Sequence, residues 1–142
     1  MASQFPNAKP SPAKPSPAKP SPIALIVEDD HDLRVLGAAL LEETGLRVIE
    51  CEDAEAALAV LTREGQSVAL VFADIRLGGL LDGVDLARRI EAAWPHISIV
   101  VTSGYSQQRP ETLPDSVAYM PKPWLALDVL MQAERAAAGM RR

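Results

Sequence analysis

Val68-Ala69-Leu70-Val71-Phe72-Ala73-Asp74 is the stretch on which the fold turns. Six apolar residues run without interruption and end on an acid. A strand with one wet face alternates apolar and polar side chains, so an unbroken run means that both faces are covered, as in a parallel sheet between helices. Aromatic residues are only 4% of the chain although 48% is apolar, so such a core must be built from Val, Ile, Leu and Ala. No apolar run approaches the roughly 18 residues needed to span a bilayer, which speaks against a membrane protein.

Upstream of that strand, Ile23–Val27 is a short β-branched run, and Asp30 is placed to cap a following helix. Leu33, Leu36 and Leu40 form one apolar stripe along that helix, closed by Gly45. Arg47–Glu50 reads as a strand, and Asp53 caps a helix carrying Ala57, Leu58 and Leu61 that stops at Gly65. Downstream, a loop with Gly78, Gly79 and Gly83 leads into a helix over Val84–Trp94, ended by Pro95. Ile97–Val101 and Val117–Met120 are two more strands. A last helix over Trp124–Ala138 is expected to bury Leu127, Leu130 and Met131. Between the last two strands Pro110 and Pro114 break the expected helix, leaving a loosely held turn or short helical fragment over Ser106–Ser116. The order β-α-β-α-β-α-β-(irregular)-β-α implies a doubly wound parallel sheet with right-handed crossovers.

Residues 1–22 differ from the rest. They repeat Ala-Lys-Pro-Ser-Pro at 8–12, 13–17 and 18–22, a composition that favours extended polyproline II and cannot enter a helix or central strand. The expected division is a disordered Pro-rich tail over 1–22 and one folded domain over 23–142. The Pro-x-Pro spacing could dock an aromatic groove on a partner; a merely solubilising tail is the alternative. The chain carries a net charge of −5, yet the tail holds Lys9, Lys14 and Lys19 and no acid. The rest therefore has 11 basic against 19 acidic residues, a net −8 that disfavours nucleic acid. A single Cys51 forms no internal disulfide, and the N-terminus has no apolar signal region, so a cytoplasmic protein is expected. His31 and His96 lie too far apart in sequence to suggest a zinc site.

In an open parallel sheet, ligands bind beyond the carboxyl ends of the strands. Here those ends deliver Glu28, Asp29 and Asp30, then Asp74, then Thr102 and Ser103, and finally Lys122. Clustered carboxylates repel unless a cation joins them, and Mg²⁺ suits a few carboxylates with several waters. With the metal and Lys122 neutralising charge, Asp74 can attack phosphorus as a carboxylate nucleophile. Strand alternation lets only one of Thr102 and Ser103 face the site. Asp30 reads as a helix cap rather than a ligand.

Ile26-Val27-Glu28-Asp29-Asp30, Phe72-Ala73-Asp74-Ile75-Arg76, Val101-Thr102-Ser103-Gly104-Tyr105 and Met120-Pro121-Lys122-Pro123-Trp124 together resemble the receiver domain of bacterial two-component response regulators. Their order and spacing agree over residues 23–138. The resemblance implies a flavodoxin-like strand order 2-1-3-4-5 with an irregular fourth helix. It implies Asp74 as phosphoacceptor and a Mg²⁺ site from Glu28, Asp29, Asp74 and the backbone carbonyl of Arg76. Thr102 resembles the switch hydroxyl and is preferred over Ser103. Lys122 resembles the lysine that pairs with the phosphoryl group, with a cis bond to Pro123, and Tyr119 the aromatic that follows the switch.

The sequence departs from the family pattern in four places. Glu28 replaces the commoner Asp, the loop Leu77–Asp82 is a residue longer with Gly78-Gly79 in place of Pro-Gly, Trp124 stands for Phe, and the fourth helix is broken. The function implied is a stand-alone response regulator rather than an enzyme acting on other molecules. It takes its phosphoryl group from a sensor histidine kinase or a histidine phosphotransfer protein and switches protein contacts, with a homodimer left open. The alternatives are a receiver-like interaction module independent of phosphorylation, or a Mg²⁺-dependent phosphatase with an Asp nucleophile. The latter usually carries an Asp-x-Asp, whereas here the run is Asp74-Ile75-Arg76.

Overall fold

The computed structural model describes residues 21–104 and 108–140. The expectations for residues 1–20 and for 105–107 lie outside the described residues. Five parallel strands, β1 (Ile23–Val27), β2 (Arg47–Cys51), β3 (Val68–Asp74), β4 (Ser98–Ser103) and β5 (Ala118–Pro121), form one sheet in the order β2-β1-β3-β4-β5. Three α-helices connect strands, α1 (His31–Glu42), α2 (Ala54–Glu64) and α3 (Gly83–Ala93), and α4 (Ala126–Met140) follows β5. The fold is the flavodoxin-like α/β architecture expected.

β3 lies between β1 and β4, and every one of its residues is buried. Its apolar run reads as it does because α1 and α4 cover one face of the sheet and α2 and α3 the other. Caps start α1 and α2 at the expected places, and α3 has a cap that the sequence reading did not name. Asp30 accepts from the Leu33 amide, Asp53 from Ala56, and Asp82 makes a reciprocal capping box with Asp85. Each such cap is worth about 1 kcal/mol. Gly45, with φ at +83°, turns the chain out of α1 towards β2, a conformation that disfavours any side chain.

Two helix faces differ from the sequence expectation. α1 buries Arg34, Gly37, Ala38 and Leu41, whereas Leu36, from the anticipated stripe, is 52% exposed. α4 buries Val129, Ala133, Ala136 and Ala137, whereas Leu127 is 68% exposed, Met131 is exposed, and Leu130 is only partly buried. Small residues face inward because the space between the helices and the sheet is already filled. Trp124 packs edge-on against Phe72 with ring centroids 5.1 Å apart. It also presses on Gly37, where an added Cβ would come within 2.1 Å of the Ile26 Cδ1 atom and 3.2 Å of the Trp124 ring.

Between β4 and β5 the described residues contain turns and no helix, as the two prolines foretold. The segment is nonetheless held. The Arg109 guanidinium donates to the carbonyls of Leu113, Pro114 and Val117, and the Leu113 and Val117 side chains enter the core. The loosely tied segment of the sequence expectation is, from Gln108 onward, a stapled turn.

Candidate functional site

The strand register explains why four separated pieces of sequence meet. Val27 pairs with Cys51 and Ala73, Asp74 pairs with Thr102, and Ser103 with Pro121. The residues just beyond those pairs therefore share one edge of the sheet. The Ile75 amide donates to the Thr102 carbonyl at 2.8 Å and the Lys122 amide to the Ser103 carbonyl at 2.8 Å, so the sheet hydrogen bonding continues into the loops. Lys122 precedes Pro123 through the expected cis peptide bond.

At that edge Glu28, Asp29 and Asp74 each offer a carboxylate oxygen, all within 4.8 Å of one another. Glu28 and Asp74 are 2% and 7% exposed, and Asp29 is open to solvent. The Lys122 ammonium spans the cluster, 2.9 Å from Glu28 Oε1 and 3.1 Å from Asp74 Oδ2. The Asp30 amide donates to Glu28 Oε2 at 3.1 Å, and the Arg76 amide lies 3.3 Å from Asp74 Oδ1. A cavity of about 380 Å³ opens beside these groups, lined by Asp29, Ile75, Arg76, Leu77 and Asp82.

Burial raises the Glu28 carboxyl above its ordinary range, and the nearby Asp74 charge adds to this against the hydrogen bonds from Lys122 and Asp30. Burial alone would lower the Lys122 pKa, but its hydrogen bonds to Glu28 and Asp74 outweigh it and the pKa is raised. A buried carboxylate cluster of this kind gains from a hard cation. The donor set, all oxygen with one member exposed, fits Mg²⁺ with its retained waters. Thr102 is fully buried, and its hydroxyl has no hydrogen-bond partner among the described residues. Tyr119 is half-buried against the core on the α2 and α3 side of the sheet.

The chain is similar to known proteins along most of its length. A family profile for the response regulator receiver domain matches residues 24–132. The chain belongs to that family. It is 34% identical over 118 residues to the response regulator protein FleR of Pseudomonas aeruginosa, matching 81% of this chain and 24% of that protein. It is 37% identical over 82 residues to the nitrogen assimilation regulatory protein NtrX of Azorhizobium caulinodans, covering 57% of this chain and 18% of the relative. The chain thus spans about a quarter or less of these relatives' length. Among solved structures, the receiver domain of NtrX from Brucella abortus superposes with a TM-score of 0.69 at 32% identity, covering 81% of this chain and 98% of that one. A receiver domain protein from Clostridium thermocellum reaches 0.75 at 21% identity, covering 84% and 97%, and speaks for the fold alone.

Within this receiver domain the structure brings together Glu28, Asp29, Asp74 and Lys122 in direct contact or near-contact, with Thr102 one strand away. Two residues of consequence escaped the sequence reading. Arg34, on the buried face of α1, donates from one terminal nitrogen to the Glu28 carbonyl at 2.9 Å and from Nε to Glu50 Oε1 at 3.1 Å. It thereby holds the turn that carries the acidic pair; a basic residue inside an apolar periodicity was the only available signal. Gly83 was noted only as a loop glycine. A Cβ there would lie 2.3 Å from the Asp74 carbonyl oxygen, so α3 can start directly behind Asp74 only with glycine at this place.

Proposed function

We propose that this receiver domain accepts a phosphoryl group on Asp74. The observation that carries the assignment is the Asp74 carboxylate held 3.1 Å from the Lys122 ammonium, beside Glu28 and Asp29 with oxygen donors within 4.8 Å. Glu28, Asp29, Asp74 and the Arg76 carbonyl would hold Mg²⁺, which supplies charge neutralisation when bound. Asp74 then attacks phosphorus with a carboxylate oxygen. The bond from phosphorus to the donor breaks, and the donor leaves with that electron pair. Lys122 pairs with the charge on the transferred group, and the unpartnered Thr102 hydroxyl turns to donate to a phosphoryl oxygen. The space it vacates admits Tyr119, which transmits the change to the surface formed by β5 and α4. The Pro-rich segment 1–22 serves as an appendage to the domain of residues 23–142.

The donor class we infer is a sensor histidine kinase or a histidine phosphotransfer protein. Support comes from the relatives: one stretch of the sensor kinase CckA of Brucella abortus is 29% identical over 103 residues, covering 70% of this chain. Partner contacts, including a homodimer, would then change with phosphorylation. Intact mass after treatment with a small phosphodonor and Mg²⁺ tests the assignment. Wild type should gain one phosphoryl group and Asp74→Asn none; equal labelling of both refutes it.

A further inference from the structure

The outward face of α4 carries apolar side chains that the domain itself leaves open. Leu127 is 68% and Met131 46% exposed, one turn apart on the side of the helix turned away from the buried Val129, Ala133, Ala136 and Ala137. Next to them a cavity of about 310 Å³ opens between α4 and the edge strand β5. Tyr119 and Pro121 line it from the strand, and Asp128, Met131, Gln132 and Arg135 from the helix.

The charges on this face select the occupant. Asp128 and Arg135 are both exposed, and neither has an ion-pair or hydrogen-bond partner among the described residues. Seven positions are within about 20° of two full turns, so the two side chains stand on one side of the helix. They are separated by about 10.5 Å along its axis, with Met131 between them. The pattern changes sign from one end to the other and is therefore complementary to itself turned end for end. When a second copy of α4 lies antiparallel across a twofold axis, Asp128 of each copy faces Arg135 of the other. Met131 then meets Met131 beside the axis, and Leu127 runs against the small Ala138 of the other copy.

The alternatives lose both ion pairs. A parallel arrangement sets Asp128 against Asp128 and Arg135 against Arg135, and a slip of one helical turn in either direction leaves the charges unmatched. Two copies of a domain with a net charge of −8 repel at long range, so what holds them has to be local pairing and apolar contact of this kind. Salt at physiological strength screens that repulsion beyond about 8 Å.

We propose that this chain forms a homodimer through α4, antiparallel about Met131, with two reciprocal Asp128–Arg135 pairs. One helix of 15 residues from each copy makes a small interface, so the association falls in the range of about 10–100 μM. Tyr119, at the strand side of the same cavity, would make the pairing respond to phosphorylation. That consequence rests on the phosphoacceptor reading of Asp74; the pairing itself does not.

Sedimentation equilibrium of the full-length chain, over concentrations bracketing that range, tests the proposal by charge exchange. Asp128→Arg sets arginine against arginine, and Arg135→Asp sets aspartate against aspartate. Each single variant should therefore associate about 10-fold or more weakly than wild type. An equimolar mixture of the two should associate again, because one copy then carries two arginines on the face and the other two aspartates. The double variant Asp128→Arg with Arg135→Asp should recover the homodimer, and either recovery shows that the single variants had not simply unfolded. A wild type that stays monomeric throughout overturns the proposal, and so do single variants that associate as wild type does. Failure of the mixture or of the double variant to recover overturns the antiparallel register. None of these measurements uses a phosphodonor, so their failure is separate from any failure of the Asp74 assignment.

Discussion

Arg34→Met separates a residue that positions the acidic turn from one that only fills space. The Arg34 side chain is 10% exposed, and its two interactions are of unequal worth. Its partner Glu50 is 42% exposed, so that ion pair contributes at most about 1 kcal/mol after solvent screening. The bond to the Glu28 carbonyl is buried, and removing a charged donor leaves an acceptor with no access to water, a loss of about 1–3 kcal/mol. Methionine keeps most of the aliphatic packing. Arg34→Met should therefore destabilise by about 2–3 kcal/mol, and Glu50→Gln by less than about 1 kcal/mol.

The functional consequence follows from how the turn is tied. Glu28 donates its amide to the Cys51 carbonyl at 3.0 Å and receives Arg34 at its own carbonyl, so losing Arg34 frees one of two backbone anchors beside the acidic pair. Outer-shell partners of this kind typically change metal affinity by about 10–100-fold. Urea unfolding and calorimetric Mg²⁺ titration at pH 7 measure the two effects separately. Arg34→Met that loses stability yet binds Mg²⁺ as wild type does would refute the positioning role. Equal losses for Arg34→Met and Glu50→Gln would show that the exposed pair, not the carbonyl, carries the stability.

Asp29→Asn removes one of three clustered carboxylates; without metal it should melt higher by a few degrees, from about 1 kcal/mol of relieved repulsion, and respond less to Mg²⁺. A melt with the wild-type metal response would contradict the acidic-site reading. Gly37→Ala should cost about 1–2 kcal/mol, as crowding of Ile26 and Trp124 outweighs the better helix propensity. Ile26→Val deletes the crowded methyl, so the double variant should lose less than the sum of the single ones; strict additivity would mean that the clash is relieved elsewhere. Burial pushes the Cys51 thiol up to about 11 from 9.0, so the folded chain keeps a proton that the unfolded chain releases first. Stability should fall as pH rises from 9 towards 11, by at most about 2–3 kcal/mol from this group. Cys51→Ala should flatten that slope, and identical slopes for the two proteins would count against it.

The buried strand Val68–Asp74 and the caps Asp30 and Asp53 were legible because period, composition and capping chemistry are local properties of the chain. The same holds for the carboxylates and Lys122: once the sheet is parallel, residues just past strand ends must gather at one edge. Strand order was available only through family resemblance, since pairing partners far apart in sequence leave no local trace. Which face of α1 and α4 turns inward was not legible at all. Both helices carry a leucine stripe next to a stripe of small residues, and hydrophobic periodicity alone prefers the leucines. Packing decided otherwise, because Trp124 and Phe72 occupy the volume beside Gly37 and leave room only for small side chains. Leu36 of α1 was thereby turned outward. Arg34 was hidden for the same reason. Its value lies in one carbonyl six residues back and one carboxylate on the neighbouring strand, a conjunction that exists only after the chain has folded.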